Sequence, residues 1–256
     1  MIVLGVDSAT PRAGVGVVED GCLCARRATS PDKNHSETLL EAIIEAMREA
    51  RIAFGDVDLM AVGLGPGSFT ALSIGVSTMK ALSYAHDVPL VGISTLDVLA
   101  GGILERADNL KSARLAVSND PWREMACGGA HAAAVIDARR GELYSATYRL
   151  GEGGVMVRET PYRTMTPRAL LDELKDPSLL VGSGCDLFEK PEAAGHLIVP
   201  EEYWHPDGAV LADMAGRGYE SGQLVDDRDI VPLYVRRSDA EINYERKIQK
   251  DPPLGH

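Results

Sequence analysis

The chain has 256 residues, of which 45% are hydrophobic and only 5% aromatic, so aliphatic side chains must fill its core. This length suits two modest lobes or one large α/β domain. Its formal net charge of −12 repels phosphate backbones and argues against a protein that holds nucleic acid by itself.

The chain carries no sign of a disulfide framework, a cysteine metal site or a membrane segment. Its cysteines are Cys22, Cys24, Cys127 and Cys185, which lack CxxC spacing, so we expect reduced thiols and no metal. The apolar run at 2–6 is too short for a signal peptide and has no basic leader. No stretch reaches the roughly 18 apolar residues that a membrane-spanning helix needs. We expect a soluble, cytoplasmic protein.

Residues 1–106 are predicted to form a first lobe with the order βββαβαβα. The strands are predicted at 2–6, 14–18, 22–29, 59–64 and 90–93, and the helices at 36–51, 69–86 and 96–106. Gly21 indicates a hairpin between the second and third strands. Asn34 and Glu37 have the spacing of a capping box for the first helix. This order predicts an α/β layer with helices on the faces of the sheet.

Residues 107–256 are predicted to form a second lobe. Residues 111–130 have weak periodicity, and we interpret them as an inserted loop with a break at Pro121. The later elements are strands at 132–137, 141–149, 155–158 and 179–181, a helix starting at Thr166 and Pro167, and a last helix capped by Pro206 or Asp207. Because βββα occurs in both halves, the pattern suggests an internally duplicated fold.

Two turns have features of phosphate-binding loops. The glycine-rich turn at 63–70 precedes a helix, but its nearest lysine is Lys80, which excludes a P-loop; we interpret it as a structural turn. The turn Asp7-Ser8-Ala9-Thr10 is similar to the DxGT turn that wraps phosphate in actin-like ATPases, with Ala9 in place of glycine. A weak nucleotide site made of Asp7, Ser8 and Thr10 and a loop of similar shape without phosphate remain as alternatives.

The sequence offers no catalytic constellation. His35 stands at a helix start, but Thr38 and Leu39 occupy the positions where a second metal ligand would lie. There is no GxSxG nucleophile elbow. We therefore predict no catalytic residue, no metal and no cofactor.

The helix at 69–86 has an apolar face made of Leu72, Val76 and Met79, beside small residues that include Gly75. A glycine inside a helix costs about 1 kcal/mol relative to alanine, so Gly75 indicates the close approach of another backbone. That backbone belongs either to the chain's own sheet or to a partner helix.

Several segments together resemble the TsaB (YeaZ) family. They are residues 2–10, 35–37, 65–70, 91–96, 137–144 and 232–236, which occur in the family's order along nearly the whole chain. The resemblance implies an α/β actin-like ATPase (ribonuclease H-like) fold with two tandem lobes and mixed sheets. It also implies a non-catalytic subunit that supports threonylcarbamoyl transfer to the tRNA adenosine next to the anticodon. The implied partner is a TsaD-like catalytic transferase; a TsaE-like ATPase is a second candidate partner, and tRNA would be contacted only indirectly.

In this family the first two helices form the pairing surface. The predicted partner-binding residues, taken from the apolar faces of these helices, are Leu39, Ile43, Met47, Leu72, Gly75, Val76 and Met79. Some of Leu39, Ile43, Leu72, Val76 and Met79 should then be exposed in the single chain and buried in a dimer, since a bare apolar face drives association. We also expect a homodimer when the partner is absent.

The chain departs from the family pattern at Ala71 and Ser73, where Gly and Arg are usual, and the insertion at 111–130 has no counterpart. Two other functional classes stay open. An ATP-dependent small-molecule kinase of the same superfold would need a full DxGT turn and a catalytic carboxylate. A glycoprotease-like enzyme would need a metal pair or a triad.

Overall fold

The first sheet is mixed and has five strands in the order β3-β2-β1-β4-β5. The computed structural model describes residues 1–32, 34–112, 121–127, 131–151, 155–189 and 195–236. The strands of the first sheet are β1 (Ile2–Asp7), β2 (Gly14–Glu19), β3 (Cys22–Ala28), β4 (Leu59–Gly63) and β5 (Leu90–Ile93). The first three strands form an antiparallel meander, whereas β4 and β5 run parallel to β1.

The second sheet repeats this arrangement. Its strands are β6 (His131–Asp137), β7 (Leu143–Leu150), β8 (Met156–Arg158), β9 (Arg163–Met165), β10 (Ser178–Val181) and β11 (Leu197–Ile198). Their order is β11-β10-β6-β7-β8, and β9 pairs with β7. Each sheet thus has a first strand flanked by an antiparallel hairpin on one side and two parallel strands on the other. This confirms the predicted duplication and the actin-like ATPase fold with mixed sheets.

Helices cover both faces of each sheet. They are α1 (His35–Ala50), α2 (Phe69–His86), α3 (Thr95–Ser112), α4 (Pro121–Cys127), α5 (Pro167–Glu173) and α6 (Gly208–Glu220). On the first sheet, α1 and α2 pack on the face that carries Leu4 and Val6, and α6 packs on the opposite face beside Val3. On the second sheet, α3 and α4 cover one face and α5 covers the other. The division of the chain at residue 106 stays a prediction, and α6, which follows it, lies on the first sheet.

The structure corrects the prediction of an inserted loop at 111–130. Helix α3 extends to Ser112, and Pro121 begins helix α4 rather than breaking the chain. Proline suits the first position of a helix, where its missing N–H has no partner to lose. The next residue, Trp122, is buried, and its ring centroid lies 5.4 Å from that of Tyr203. The rest of this prediction, at 113–120 and 128–130, lies outside the described residues.

Of the helix starts predicted from capping residues, one is corrected. The Asn34 side chain accepts no hydrogen bond from a backbone N–H of α1; its Nδ2 donates instead to Glu37 Oε1 at 3.4 Å, so the capping box is absent. By contrast, Thr166 Oγ1 accepts from Ala169 N at 3.2 Å, which confirms the start of α5. Asp207 Oδ1 accepts from Ala209 N at 2.8 Å, which confirms the start of α6.

Helix α6 lies on the first sheet at backbone contact distance, and glycines make this possible. A Cβ atom at Gly16 would lie 2.1 Å from Ala209 N and 2.4 Å from Ala209 Cα. A Cβ atom at Gly208 would lie 2.4 Å from Gly16 N. Real Cβ atoms do not approach other atoms this closely, so the sheet and the helix fit only because both glycines lack side chains.

Gly16→Ala should therefore destabilise the fold by about 2–3 kcal/mol, because one added methyl group forces α6 off the sheet. Gly55→Ala is the matched control, since a Cβ at Gly55 meets nothing within 4 Å and should change stability by less than about 0.5 kcal/mol. Urea unfolding followed by circular dichroism measures both. Equal midpoints for the two variants would contradict this packing.

Candidate functional site

The turn after β1 holds the three residues predicted as a weak nucleotide site, and all three are buried. Asp7 Oδ1 accepts from Ala9 N at 2.9 Å, and Asp7 Oδ2 accepts from the Thr95 hydroxyl at 2.7 Å. Ser8 Oγ donates to Ala71 O at 2.7 Å, and Thr10 Oγ1 donates to Arg12 O at 2.9 Å. Each side chain thus bonds within the chain itself. A nucleotide role for these residues stays a prediction.

The start of α2 packs directly against this turn. A Cβ at Gly67 would lie 2.3 Å from Ala9 O and 2.7 Å from Ala9 Cβ. The Ser68 N–H donates to Ala9 O at 2.9 Å. The start of α2 therefore closes one side of this turn, whereas Ala9 and Thr10 border a cavity on another side.

The first turn of α3 connects the two sheets through hydrogen bonds. On the side of the first sheet, Thr95 N donates to Gly65 O at 2.8 Å, and Thr95 Oγ1 accepts from Gly65 N at 3.1 Å while donating to Asp7. On the side of the second sheet, the Asp97 carboxylate accepts from the hydroxyls of Tyr148 at 2.7 Å and Tyr162 at 2.5 Å. We call Asp7, Thr95, Asp97, Tyr148 and Tyr162 the junction network.

Burial and the Asp97 carboxylate together raise the pKa of both tyrosines in the junction network, and burial is the larger cause for each. The phenols therefore keep their protons and act as donors to Asp97 over the physiological pH range. Sequence analysis missed these residues, because Asp97 lies 51 and 65 positions from its two partners. No local pattern signals a contact of that range.

A cavity of about 800 Å³ lies between the lobes. Its walls are the turn at 9–11, the starts of α1 and α2, and residues 136–139 of the second lobe. His35 lines this cavity, and its Nε2 lies 2.8 Å from Thr10 O. A carbonyl oxygen can only accept, so Nε2 carries the proton and ties α1 to the β1–β2 turn. Among the described residues, no group of three His, Cys, Asp or Glu side chains could hold a metal ion.

The expectation that some predicted partner-binding side chains are exposed in the single chain is wrong. The residues concerned are all buried: Leu39, Ile43, Met47, Leu72, Gly75, Val76 and Met79. The apolar stripe of each helix faces its own sheet, as amphipathic helices on a sheet normally do. A Cβ at Gly75 would lie 2.2 Å from Ser8 Oγ. The close approach that Gly75 indicated is therefore to Ser8, in the chain's own first lobe.

The outward faces of α1 and α2 carry other residues. Phe69 and Tyr84, at the two ends of α2, are 66% and 57% exposed, and Leu40 on α1 is 50% exposed. Between the two aromatic rings, α2 presents the small exposed residues Ser77 and Ala81. Sequence periodicity does not single out this face, because it is neither strongly apolar nor charged. Within the described ranges, every helix is too short or too polar to cross a membrane.

The duplicated arrangement of the two sheets defines an actin-like fold. A family model described as "TsaD: tRNA N6-adenosine threonylcarbamoyltransferase" matches residues 24–118. The tRNA threonylcarbamoyladenosine biosynthesis protein TsaB of Escherichia coli (strain K12) is 25% identical, over 93% of this chain and 96% of that protein. Its namesake in Bacillus subtilis (strain 168) is 24% identical, over 95% and 98%.

A solved structure described as YeaZ from Pseudomonas aeruginosa superposes with a TM-score of 0.69 at 23% identity. The match covers 91% of this chain and 99% of that one, and it supports the fold. The chain is thus similar to TsaB proteins along nearly its whole length, which supports the resemblance that its motifs predicted.

Asp7 makes stability depend on pH, because burial raises its pKa from 3.8 to about 6, although hydrogen bonds from Ala9 and Thr95 oppose the shift. A group whose pKa is raised on folding binds its proton more tightly in the folded state. Between about pH 4 and pH 6 the folded chain thus holds a proton that the unfolded chain has lost. The contribution of Asp7 to the free energy of unfolding therefore falls by up to about 3 kcal/mol as the pH rises through this window.

Asp7→Asn removes this titration and keeps an oxygen to accept from Ala9. The variant should therefore lose less stability than the wild type between pH 4 and pH 6. Urea unfolding at several pH values in this window measures the difference, and comparison with the wild type cancels the contributions of other carboxylates. Parallel curves for the two proteins would show that Asp7 is not the titrating group.

Proposed function

We propose that this protein is a non-catalytic subunit that pairs with the catalytic transferase of tRNA threonylcarbamoyladenosine biosynthesis in the cytoplasm. In this role it supports transfer of the threonylcarbamoyl group to the tRNA adenosine next to the anticodon. The observation that carries the proposal is similarity to two TsaB proteins over nearly their full lengths.

The first lobe supports pairing with the transferase in particular. The transferase family model matches residues 24–118, a stretch that contains α1, α2 and part of the first sheet. Two proteins that both contain this lobe have similar surfaces on it. Similar surfaces can pair about an approximate two-fold axis, as identical ones do in symmetric dimers.

The pairing surface we propose is the outward face of α1 and α2 and not the buried stripe. Leu40, Phe69 and Tyr84 supply exposed apolar area. Ser77 and Ala81 are small, so a partner helix can pack closely between the two aromatic rings. Without the transferase, the same face would pair with a second copy of this chain, which gives the homodimer expected from the sequence.

A non-catalytic role is consistent with the β1–β2 turn, where Ala9 replaces the glycine of the DxGT turn and the side chains of Asp7, Ser8 and Thr10 bond within the chain itself. The net charge of −12 supports indirect contact with tRNA, because counterion release needs clustered Lys and Arg. A TsaE-like ATPase is a second partner that we propose for the assembled complex.

The outward face of α2 can be tested by Ser77→Arg. A long charged side chain at this exposed position should weaken binding to the transferase at least about tenfold, since it must be desolvated against a partner helix. The stability of the free chain should change by less than about 0.5 kcal/mol. Gly75 and Val76 are unsuitable for this test, because both are buried in the chain's own core.

Ser221→Arg is the matched control, because Ser221 is an exposed serine at the end of α6, on the opposite side of the first sheet. Isothermal titration calorimetry with the purified transferase of the same organism measures each affinity. If Ser77→Arg binds as tightly as the wild type, the outward face of α2 is not the pairing surface. Sedimentation of the chain alone tests self-association through the same face.

A further inference from the structure

A segment near the end of the described chain runs back across the first lobe. Residues 226–236, which we call the strap, follow α6. The Leu90 N–H donates to Asp226 Oδ1 at 2.9 Å, and the Asp227 N–H donates to Leu90 O at 2.9 Å. Further along, the Leu233 N–H donates to Leu64 O at 2.7 Å. These bonds fix the strap to the ends of strands β5 and β4.

The strap also runs antiparallel to α2. The Arg228 guanidinium lies 5.8 Å from the ring centroid of Tyr84, near the end of the helix. Lys80 Nζ donates to Ile230 O at 3.3 Å. Tyr234 stacks on Phe69, the first residue of α2, with ring centroids 5.8 Å apart. The strap therefore follows α2 from its end to its start, where the cavity between the lobes opens.

At Arg236 the strap reaches the second lobe. Arg236 Nη1 lies 3.4 Å from Ala138 O and 3.3 Å from Glu142 Oε2. Both acceptors belong to the turn between β6 and β7, and Ala138 also lines the cavity. The Arg236 side chain is only 21% exposed, so solvent screens this ion pair less than it would a fully exposed one.

We propose that the strap is a latch that holds the two lobes together across the mouth of the cavity. The junction network joins the lobes through the first turn of α3, and Arg236 joins them at a second place. With both contacts made, the walls of the cavity are fixed relative to each other. Without the Arg236 contact, the lobes lose their join on this side of the cavity and can open about the first turn of α3.

Arg228 offers an internal comparison. It also forms ion pairs, at 2.9 Å with Asp87 and at 3.3 Å with Asp226, but both partners belong to the first lobe or to the strap itself. Removing the Arg228 guanidinium loosens the strap on the first lobe and leaves the contact to the second lobe in place. Removing the Arg236 guanidinium does the reverse.

Hydrogen–deuterium exchange with mass spectrometry on the full chain distinguishes a latch from a loosely attached end. The informative amide on the first-lobe wall is Ala9 N–H, which bonds to Asp7 and lies outside the strap. Arg236→Ala should speed exchange about threefold or more both there and at Ala138 N–H on the second-lobe wall. Arg228→Ala should speed exchange only in the strap and near residue 87.

Glu142→Gln keeps the size of the acceptor but removes its charge, so it should shift exchange in the same direction as Arg236→Ala and by less. If Arg236→Ala lowers the unfolding midpoint, Glu142→Gln still tests the contact, because it changes only the charge of the acceptor. The proposal is overturned if both variants change exchange only within the strap and the 138–142 turn and leave Ala9 at its wild-type rate. It is equally overturned if Arg228→Ala speeds exchange at Ala9 as much as Arg236→Ala does.

Discussion

The hydrogen bond between the Thr95 hydroxyl and the buried Asp7 carboxylate is the interaction on which the arrangement of the lobes most depends. A buried carboxylate without partners costs several kcal/mol, so Asp7 requires donors at fixed positions. The backbone of its own turn provides one, and the first turn of α3 provides the other. Because Thr95 also bonds to Gly65, β1, the glycine-rich turn and α3 are held in one geometry.

Helix α3 also forms hydrogen bonds with the second lobe. Asp97, two residues after Thr95, accepts hydrogen bonds from Tyr148 on β7 and from Tyr162. The first turn of α3 thus bonds to the first lobe through Thr95 and to the second sheet through Asp97. In a fold with this topology the space between the lobes usually defines the function. Here the first-lobe side of that space carries Ala9 in place of the glycine of the DxGT turn, and we therefore propose a function that depends on a surface rather than on a pocket.

Much of the fold could be predicted because it depends on local patterns. Apolar runs bounded by Gly21 and by the polar turn at Asp7 located the first hairpin, and helical spacing located α1 and α2. The repeated βββα order predicted two lobes, and the structure shows the same strand order in both sheets. Thr166 and Asp207 marked helix starts correctly, because a capping side chain acts within its own turn.

The errors arise where a residue's role depends on distant partners. The stripe containing Leu39, Val76 and Met79 was expected to be exposed in the single chain, but periodicity shows only that a helix has an apolar face and not what covers it. Trp122 was assigned to a loop, although a buried aromatic residue after a proline equally suits the first turn of a helix. Strands β9 and β11 have three and two residues, which is too short for a periodic signal. Likewise, the sequence pattern of the strap does not indicate that Arg236 reaches the second lobe.

The most direct test of the account is mass spectrometry of tRNA nucleosides from cells depleted of this protein. We expect threonylcarbamoyladenosine to fall on depletion in tRNAs that read codons beginning with A. The wild-type chain and Ser221→Arg should restore the modified nucleoside, whereas Ser77→Arg should not. Unchanged levels of threonylcarbamoyladenosine after depletion would contradict the proposed function.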